Sequence, residues 1–250
     1  MNPVILLARK EAGELVLSPR GIGWLLALAA ALSGFGLLLV SNTELSLLDN
    51  AQVVYDMAGI VTVLGALLAI VVGTDAIAGE RERGSLMPLL LTPVSRLAIL
   101  TGKLGGQLIA WAVMSVVAVP YLWAVGSTGQ NLANGVVLLA LLGTPVVLAF
   151  GFLSMGLAAR LGSSRGSLLV ALIGLMLAAS PLVLGPGLRQ SAIGRAFDAV
   201  NPVSGALNAY DAVIIDSQSI ASQWEPLALV LASGVLALWF AAASFRKIAI

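Results

Sequence analysis

Apolar positions dominate this chain in six long runs, and polar positions collect between them. The runs cover about Gly21–Val40, Met57–Ala78, Leu104–Val125, Gly135–Ala159, Ser167–Gly187 and Pro226–Ser244. Each approaches the roughly 20 apolar residues that carry a helix across a bilayer. A helix satisfies its own backbone groups and therefore suits lipid. The apolar–polar alternation of a membrane-barrel strand is missing from these runs. The pattern predicts an all-α membrane protein, one transmembrane domain over residues 1–250 with six transmembrane helices.

Three segments between the runs carry patterns of their own. Residues 1–19 read as an amphipathic helix lying in the membrane interface. Asn2 can cap it, Pro3 suits its first position, and Val4, Ile5, Ala8, Ala12, Leu15 and Val16 share one face opposite Lys10, Gly13 and Glu14. Ser18-Pro19 then turns the chain into the first run; the alternative is a simple extension of that run. Residues 79–103 place a charged tetrad before a short apolar stretch closed by Thr92-Pro93, which predicts a short helix between spans two and three. Such a helix, with Leu and Met exposed, suits a groove on a partner; the alternative is a loop resting on lipid headgroups through Arg81 and Arg83. Residues 188–225 are too long for a turn. There Asn201-Pro202 starts a short helix carrying Ala206, Leu207, Tyr210, Val213 and Ile214, either packed on the bundle mouth or gating an exit path.

Composition agrees with the pattern. Of 250 residues, 59% are hydrophobic and 10% charged, against roughly 25% charged in soluble domains. Net charge is +1, so no strong field points to nucleic acid. The cations set an orientation. With the N-terminus cytoplasmic, Arg9, Lys10, Arg20, Arg81, Arg83, Arg96, Lys103, Arg160, Arg165, Arg246 and Lys247 fall inside, and only Arg189 and Arg195 outside. Both termini are then cytoplasmic. Glu44, Asp49, Asp56, Asp198, Asp211, Asp216 and Glu225 fall at the outer side, where they solvate loops. Glu11 and Glu14 follow Arg9 and Lys10 without a small-residue cleavage site, so the N-terminus does not read as a cleaved signal peptide.

Catalytic chemistry is thin. The chain has no Cys and no His, which removes thiolate chemistry and the usual general base. A serine triad has no histidine to serve it. Met57, Met87, Met114, Met155 and Met176 are scattered and read as packing, so no metal site is expected. Gly102-Lys103 is followed by Leu104 rather than Ser or Thr, and Leu97 stands where a phosphate loop has its first glycine. The chain is therefore not expected to bind ATP itself. Asp75, at the end of the second run, reads as an interface residue near Arg81 or Lys103 rather than a proton carrier. Gly34, Gly36, Gly151, Gly156 and Ala159 allow close helix packing. Tyr55, Tyr121, Trp111, Trp123, Trp224 and Trp239 read as interfacial anchors, with the lining of a path as the alternative.

The stretch Gly79-Glu80-Arg81-Glu82-Arg83-Gly84-Ser85-Leu86, followed by Thr92-Pro93-Val94-Ser95-Arg96 and Gly102-Lys103, resembles the signature of type-2 ABC transporter permeases. Ala8-Arg9-Lys10-Glu11 with Ser18-Pro19-Arg20 is similar to the family's N-terminal connecting helix, and Asn201-Pro202 to a weaker feature before its last span. The resemblance implies a permease of an ATP-driven exporter in the cytoplasmic (inner) membrane. It implies two permease chains, identical or different, and two copies of an ABC ATPase that bind ATP and Mg. It implies that the segment between spans two and three is a cytoplasmic coupling helix. Glu80, Arg81, Glu82 and Arg83, with Gly84 and Ser85, would hold and orient it, and Leu86, Met87 and Leu90 would fill the ATPase groove. Arg9, Lys10 and Glu11 would belong to the interfacial helix.

Two other readings stay open. Some members of this family serve the maturation of copper or sulfur cofactor enzymes outside the membrane, and the small size fits that branch. A scaffold without transport is the alternative from another class, motivated by the lack of a visible substrate site. A membrane enzyme is disfavoured by the missing nucleophile–base and metal sets.

Overall fold

The computed structural model describes residues 3–41, 50–126, 132–182 and 191–248, and every regular element among them is a helix. The Asn2 cap, Glu44, Asp49, Arg189 and the end of the fifth run, up to Gly187, lie outside the described residues. Helix α1 spans Pro3–Val16 and α2 Pro19–Ser41. Helix α3 begins as Asn50–Thr74, passes through a π turn at Asp75–Gly79 and ends with Glu80–Glu82. The short α4 is Leu86–Leu90, and α5 runs Arg96–Gly126. Helix α6 covers Leu132–Leu161 with a π turn at Leu139–Gly143. Then come α7 Ser164–Ala179, α8 Ala192–Asp198, α9 Pro202–Tyr210 continued by a π turn at Asp211–Ile215, and α10 Trp224–Arg246.

Among the described residues, five helices are long and apolar enough to cross a membrane: Gly21–Leu38, Ala51–Glu82, Arg96–Ala124, Leu132–Leu161 and Trp224–Arg246. The expected span at Ser167–Gly187 is represented by α7, of 16 residues, below the usual spanning length. Ser180–Leu182 continues it as a 3-10 turn, because Pro181 cannot extend the α-helical ladder. The second and third spans overrun their expected ends. Glu80 and Lys103 sit inside helices, and the connecting segment shrinks to the stretch between Glu82 and Arg96.

Helix α3 is the central element. Its spanning window is 72% buried within the chain, against 17% for those of α2 and α10. It packs against α6 on one side and α5 on another, and α6 packs in turn along α10. Lipid tails are as apolar as Leu, so close packing rather than the hydrophobic effect joins such helices. The small residues therefore matter. Gly156 seats Phe240 and Ala241, and Gly73 seats Ser154 and the Gly151 backbone. A Cβ at Gly34 or Gly36 would meet no atom of the described residues within 4 Å.

The short helix after Asn201-Pro202 packs against the bundle. Asn201 caps α9, its Oδ1 accepting from the Val203 N–H at 3.0 Å, as its residue type favours. Ala206, Leu207, Tyr210, Val213 and Ile214 are all buried with Val54, Ala58, Val146 and Phe150. The Tyr210 hydroxyl lies 3.0 Å from Thr62 Oγ1, which itself donates to the Ala58 carbonyl. The pairing satisfies two hydroxyls in a dry interior. Trp111 is likewise a core residue rather than an anchor, donating from Nε1 to Thr144 Oγ1 at 2.9 Å. Trp123, Trp224 and Trp239 are exposed.

Candidate functional site

The sequence Gly79 to Ser85 is a helix stop with its charges wired to four neighbours. Gly84 takes φ +73°. Its N–H donates to the Arg81 carbonyl at 3.0 Å, and the Ser85 N–H to the Glu80 carbonyl at 2.9 Å. This double bond pattern closes a helix on a left-handed residue, which glycine adopts without strain. The π turn before it sets the side-chain geometry. Asp75 and Arg83, eight positions apart, form a two-point ion pair at 2.8 and 3.2 Å. A Cβ at Gly79 would collide with the Asp75 carboxylate, so the pair needs glycine there. Asp75 thus pairs with Arg83, not with Arg81 or Lys103 as the sequence suggested. The extra residue of the π turn rotates Asp75 toward Arg83.

Glu80 turns inward. Lys103 Nζ lies 2.8 Å from Glu80 Oε1 and 2.9 Å from Glu11 Oε1, and all three side chains are almost wholly buried. Glycines make this possible. A Cβ at Gly102 would press on Leu7, one at Gly105 on Ala8, and one at Gly106 would collide with Glu11. Helix α1 therefore lies directly on α5 and carries Glu11 into the interior. The expected apolar face of α1 packs through Ala8 and Ala12, but Ile5 is exposed and Glu11 is among the most buried residues of the helix. Arg9 and Lys10 are exposed, and Lys10 pairs with Glu14 at 3.4 Å. Burial pushes the Glu11 carboxyl above its ordinary range, and Lys103 pulls it part of the way back. Gly102-Lys103 is thus the middle of a helix and part of an ion cluster, in no sense a phosphate loop.

The other two members of the tetrad hold the turn between α6 and α7. Glu82 Oε1 accepts from the Ser164 N–H at 2.7 Å, an anion at a helix N-terminus. The Arg81 guanidinium lies beside Gly162, where an added Cβ would approach Nη1 to 2.9 Å. Beyond α4, Ser95 Oγ accepts from the Ala98 N–H at 3.2 Å and caps α5. Arg96 Nη1 donates to the Arg246 and Ile248 carbonyls at 2.9 Å each, satisfying orphan acceptors at the end of α10. Arg160 Nε bonds Ser244 Oγ at 2.9 Å and its guanidinium stacks on Phe240. These contacts gather α1, the end of α3, α4, the start of α5, the α6–α7 turn and the end of α10 at one end of the bundle.

Helix α4 is seated on this platform by half of its apolar side chains. Leu86 and Leu90 are 2% and 8% exposed, packed among Ala76, Ile77, Ile99, Met155 and Phe245. Met87 and Leu91 are 44% and 70% exposed. Positions four apart share a helix face, so 86 and 90 form the seat while 87 and 91 form the outward edge. Of Leu86, Met87 and Leu90, expected together to fill a groove of the ATPase, Leu86 and Leu90 are buried within this chain and Met87 is exposed. Lys103 and Asp75 lay outside the expected site set; the glycines flanking Lys103 were the signal for the first, and the π turn left none for the second.

Among the described residues, no group of three or more Asp or Glu side chains is placed to hold a metal ion. The geometry defines a multi-pass helical membrane protein with a tethered surface helix at one end. The profile of ABC-2 family transporter proteins matches residues 5–248, nearly the whole chain, and the chain belongs to that family. It is also similar to a protein described as a probable ABC transporter permease protein NosY, from Stutzerimonas stutzeri, with 33% identity over 123 residues. That match covers 46% of this chain and 42% of the relative's length.

Proposed function

We propose that this chain is the permease of an ATP-driven exporter, with α4 as the element that receives the stroke of a separate ATPase. The carrying observation is the attachment of α4. Of the tetrad before it, Glu80 grips Lys103 of α5, which also holds Glu11 of α1, Glu82 grips the α6–α7 turn, and Arg83 grips α3 itself, while Arg81 lies beside Gly162. A push on the exposed Met87–Leu91 edge reaches all of these helices, because packed elements move as bodies rather than deform. Two ATPase subunits holding ATP and Mg, and two permease chains, complete the assembly in this reading; export rather than uptake follows from the family resemblance.

The same reading puts the charged end of the bundle in the cytoplasm of the inner membrane, with six crossings and both termini inside. The gathering of Arg81, Arg83, Arg96, Lys103 and Arg160 at one end supports it. Helix α7 supports the sixth crossing. It starts beside Glu82 at the charged end, and the Ala178 carbonyl near its other end accepts from Asn201 Nδ2 at 2.8 Å. Helix α1 would lie in the inner interface.

The test is ATP hydrolysis by this chain co-expressed with the ABC ATPase encoded nearest to it and reconstituted in lipid nanodiscs. Met87→Glu is expected to abolish stimulation of the ATPase while the bundle keeps its helix content. Unchanged stimulation by the folded variant, or an ATPase that never binds the chain, would favour a scaffold without transport.

A further inference from the structure

The described carboxylates at the charged end of the bundle all have partners. Asp75 pairs with Arg83, Glu14 with Lys10, and Glu11 and Glu80 with Lys103, while Glu82 accepts from the Ser164 N–H. Arg160, Arg246 and Lys247 are exposed and have no carboxylate partner among the described residues. They stand where two spanning helices stop, α6 at Leu161 and α10 at Arg246. Arg160 is fixed on the surface of α10. Its Nε donates to Ser244 Oγ at 2.9 Å, and its guanidinium carbon lies 4.6 Å from the centre of the Phe240 ring. Both Nη groups are left without a partner among the described residues. Leu236, Phe240, Ser244 and Lys247 follow at helical spacing along one side of α10, so Lys247 leaves the helix on the side that holds Arg160. The neighbouring row carries Trp239 and, two turns on, Arg246. Leu236 and Trp239 are exposed, and the spanning window of α10 is only 17% buried within the chain.

We propose that this edge of α6 and α10 binds an anionic phospholipid, its phosphate accepting from the Arg160 Nη groups and the Lys247 ammonium and its acyl chains lying along Leu236 and Trp239. The chemistry follows from the order of residues down α10. Exposed apolar side chains come first, then a tryptophan, then cations, which is the order in which a lipid presents tail, interface and headgroup. A guanidinium with both Nη groups free matches two phosphate oxygens at once. Ser244 and Phe240 already hold that guanidinium in place, so little ordering is left for the lipid to impose. Cations at this level favour a headgroup with net negative charge over a zwitterionic one. The surface belongs to this chain alone and does not depend on the permease reading.

The test is native mass spectrometry of the purified full-length chain with dioleoylphosphatidylglycerol and with dioleoylphosphatidylcholine, which has the same tails and no net charge. The anionic lipid is expected to be held at least ~10-fold more tightly. Arg160→Gln and Lys247→Gln should each lower that preference ~5-fold, the worth of one cation at a membrane surface. Arg195→Gln, which removes the same charge from α8, should leave it unchanged. If Arg160→Gln does not fold, Lys247→Gln carries the test, because that side chain is exposed and makes no contact the fold needs. Equal retention of the two lipids by the wild-type chain overturns the proposal, as does a Lys247→Gln chain that keeps the full preference. A fall with Arg195→Gln as large as that with Lys247→Gln also overturns it, since the attraction would then be to the net charge of the chain. A Lys247→Gln chain that keeps its lipid preference but no longer co-purifies with the ATPase would assign the surface to a protein partner instead.

Discussion

Lys103 Nζ and Glu11 Oε1 meet 2.9 Å apart inside the protein, 92 positions apart in the chain. The contact fixes the N-terminal helix to α5, and through Glu80 to the segment that ends in α4. Buried ion pairs are weak as a net source of stability but costly to break from one side. Lys103→Met leaves two carboxylates facing each other and is expected to destabilise the chain by roughly 3–5 kcal/mol, read by chemical unfolding in detergent. Glu11→Gln should cost less, since Lys103 keeps Glu80.

The same pair predicts a pH dependence. Burial holds the Glu11 carboxyl above its ordinary value of 4.5. The folded state then binds that proton more tightly than the unfolded chain does. This contribution to stability is fully present below about 4.5 and is lost as pH rises through the raised folded value. Thermal midpoints of the wild-type chain should fall across that window, and Glu11→Gln should flatten the fall. A parallel slope in both proteins would assign the dependence to another group.

Gly84 ends α3 in the left-handed region, and a Cβ there would meet nothing within 4 Å. The cost of Gly84→Ala is therefore a backbone cost alone, about 1–2 kcal/mol. Gly84→Asn should cost less, because asparagine visits that region more readily. Equal losses for the two variants in an unfolding titration would point to packing instead.

Much of this was legible in the sequence, and the failures have particular causes. The apolar runs marked the spanning helices because lipid demands length and continuity, but the second run ends at Ala78, short of the stop that Gly84 makes. Asn201-Pro202 marked the start of α9. The π turn at Asp75–Gly79 left no trace in apolar spacing, so the partner of Asp75 came out wrong. Helix α4 is apolar on both faces, and periodicity over five residues could not tell the seat, Leu86 and Leu90, from the edge, Met87 and Leu91. Glu11 was expected only as a member of the interfacial helix. Its burial depends on Gly102, Gly105 and Gly106, which lie in a different helix and become a groove only in three dimensions.

The orientation can be read directly, since the chain has no cysteine to remove. Ser85→Cys and Ile193→Cys place single thiols at two exposed positions, before α4 and in α8. In intact cells a membrane-impermeant maleimide should label position 193 and spare position 85. Labelling of 85 alone would invert the topology.

The central claim is that α4 meets the ATPase with the edge formed by Met87 and Leu91. A photo-crosslinking residue at position 87, at 91, or at 193 as the distant control, tests it most directly in the complex with the adjacent ATPase. The account predicts ATPase adducts from 87 and 91 and none from 193. Adducts from 193, or none from 87 and 91 in a complex that hydrolyses ATP, would contradict it.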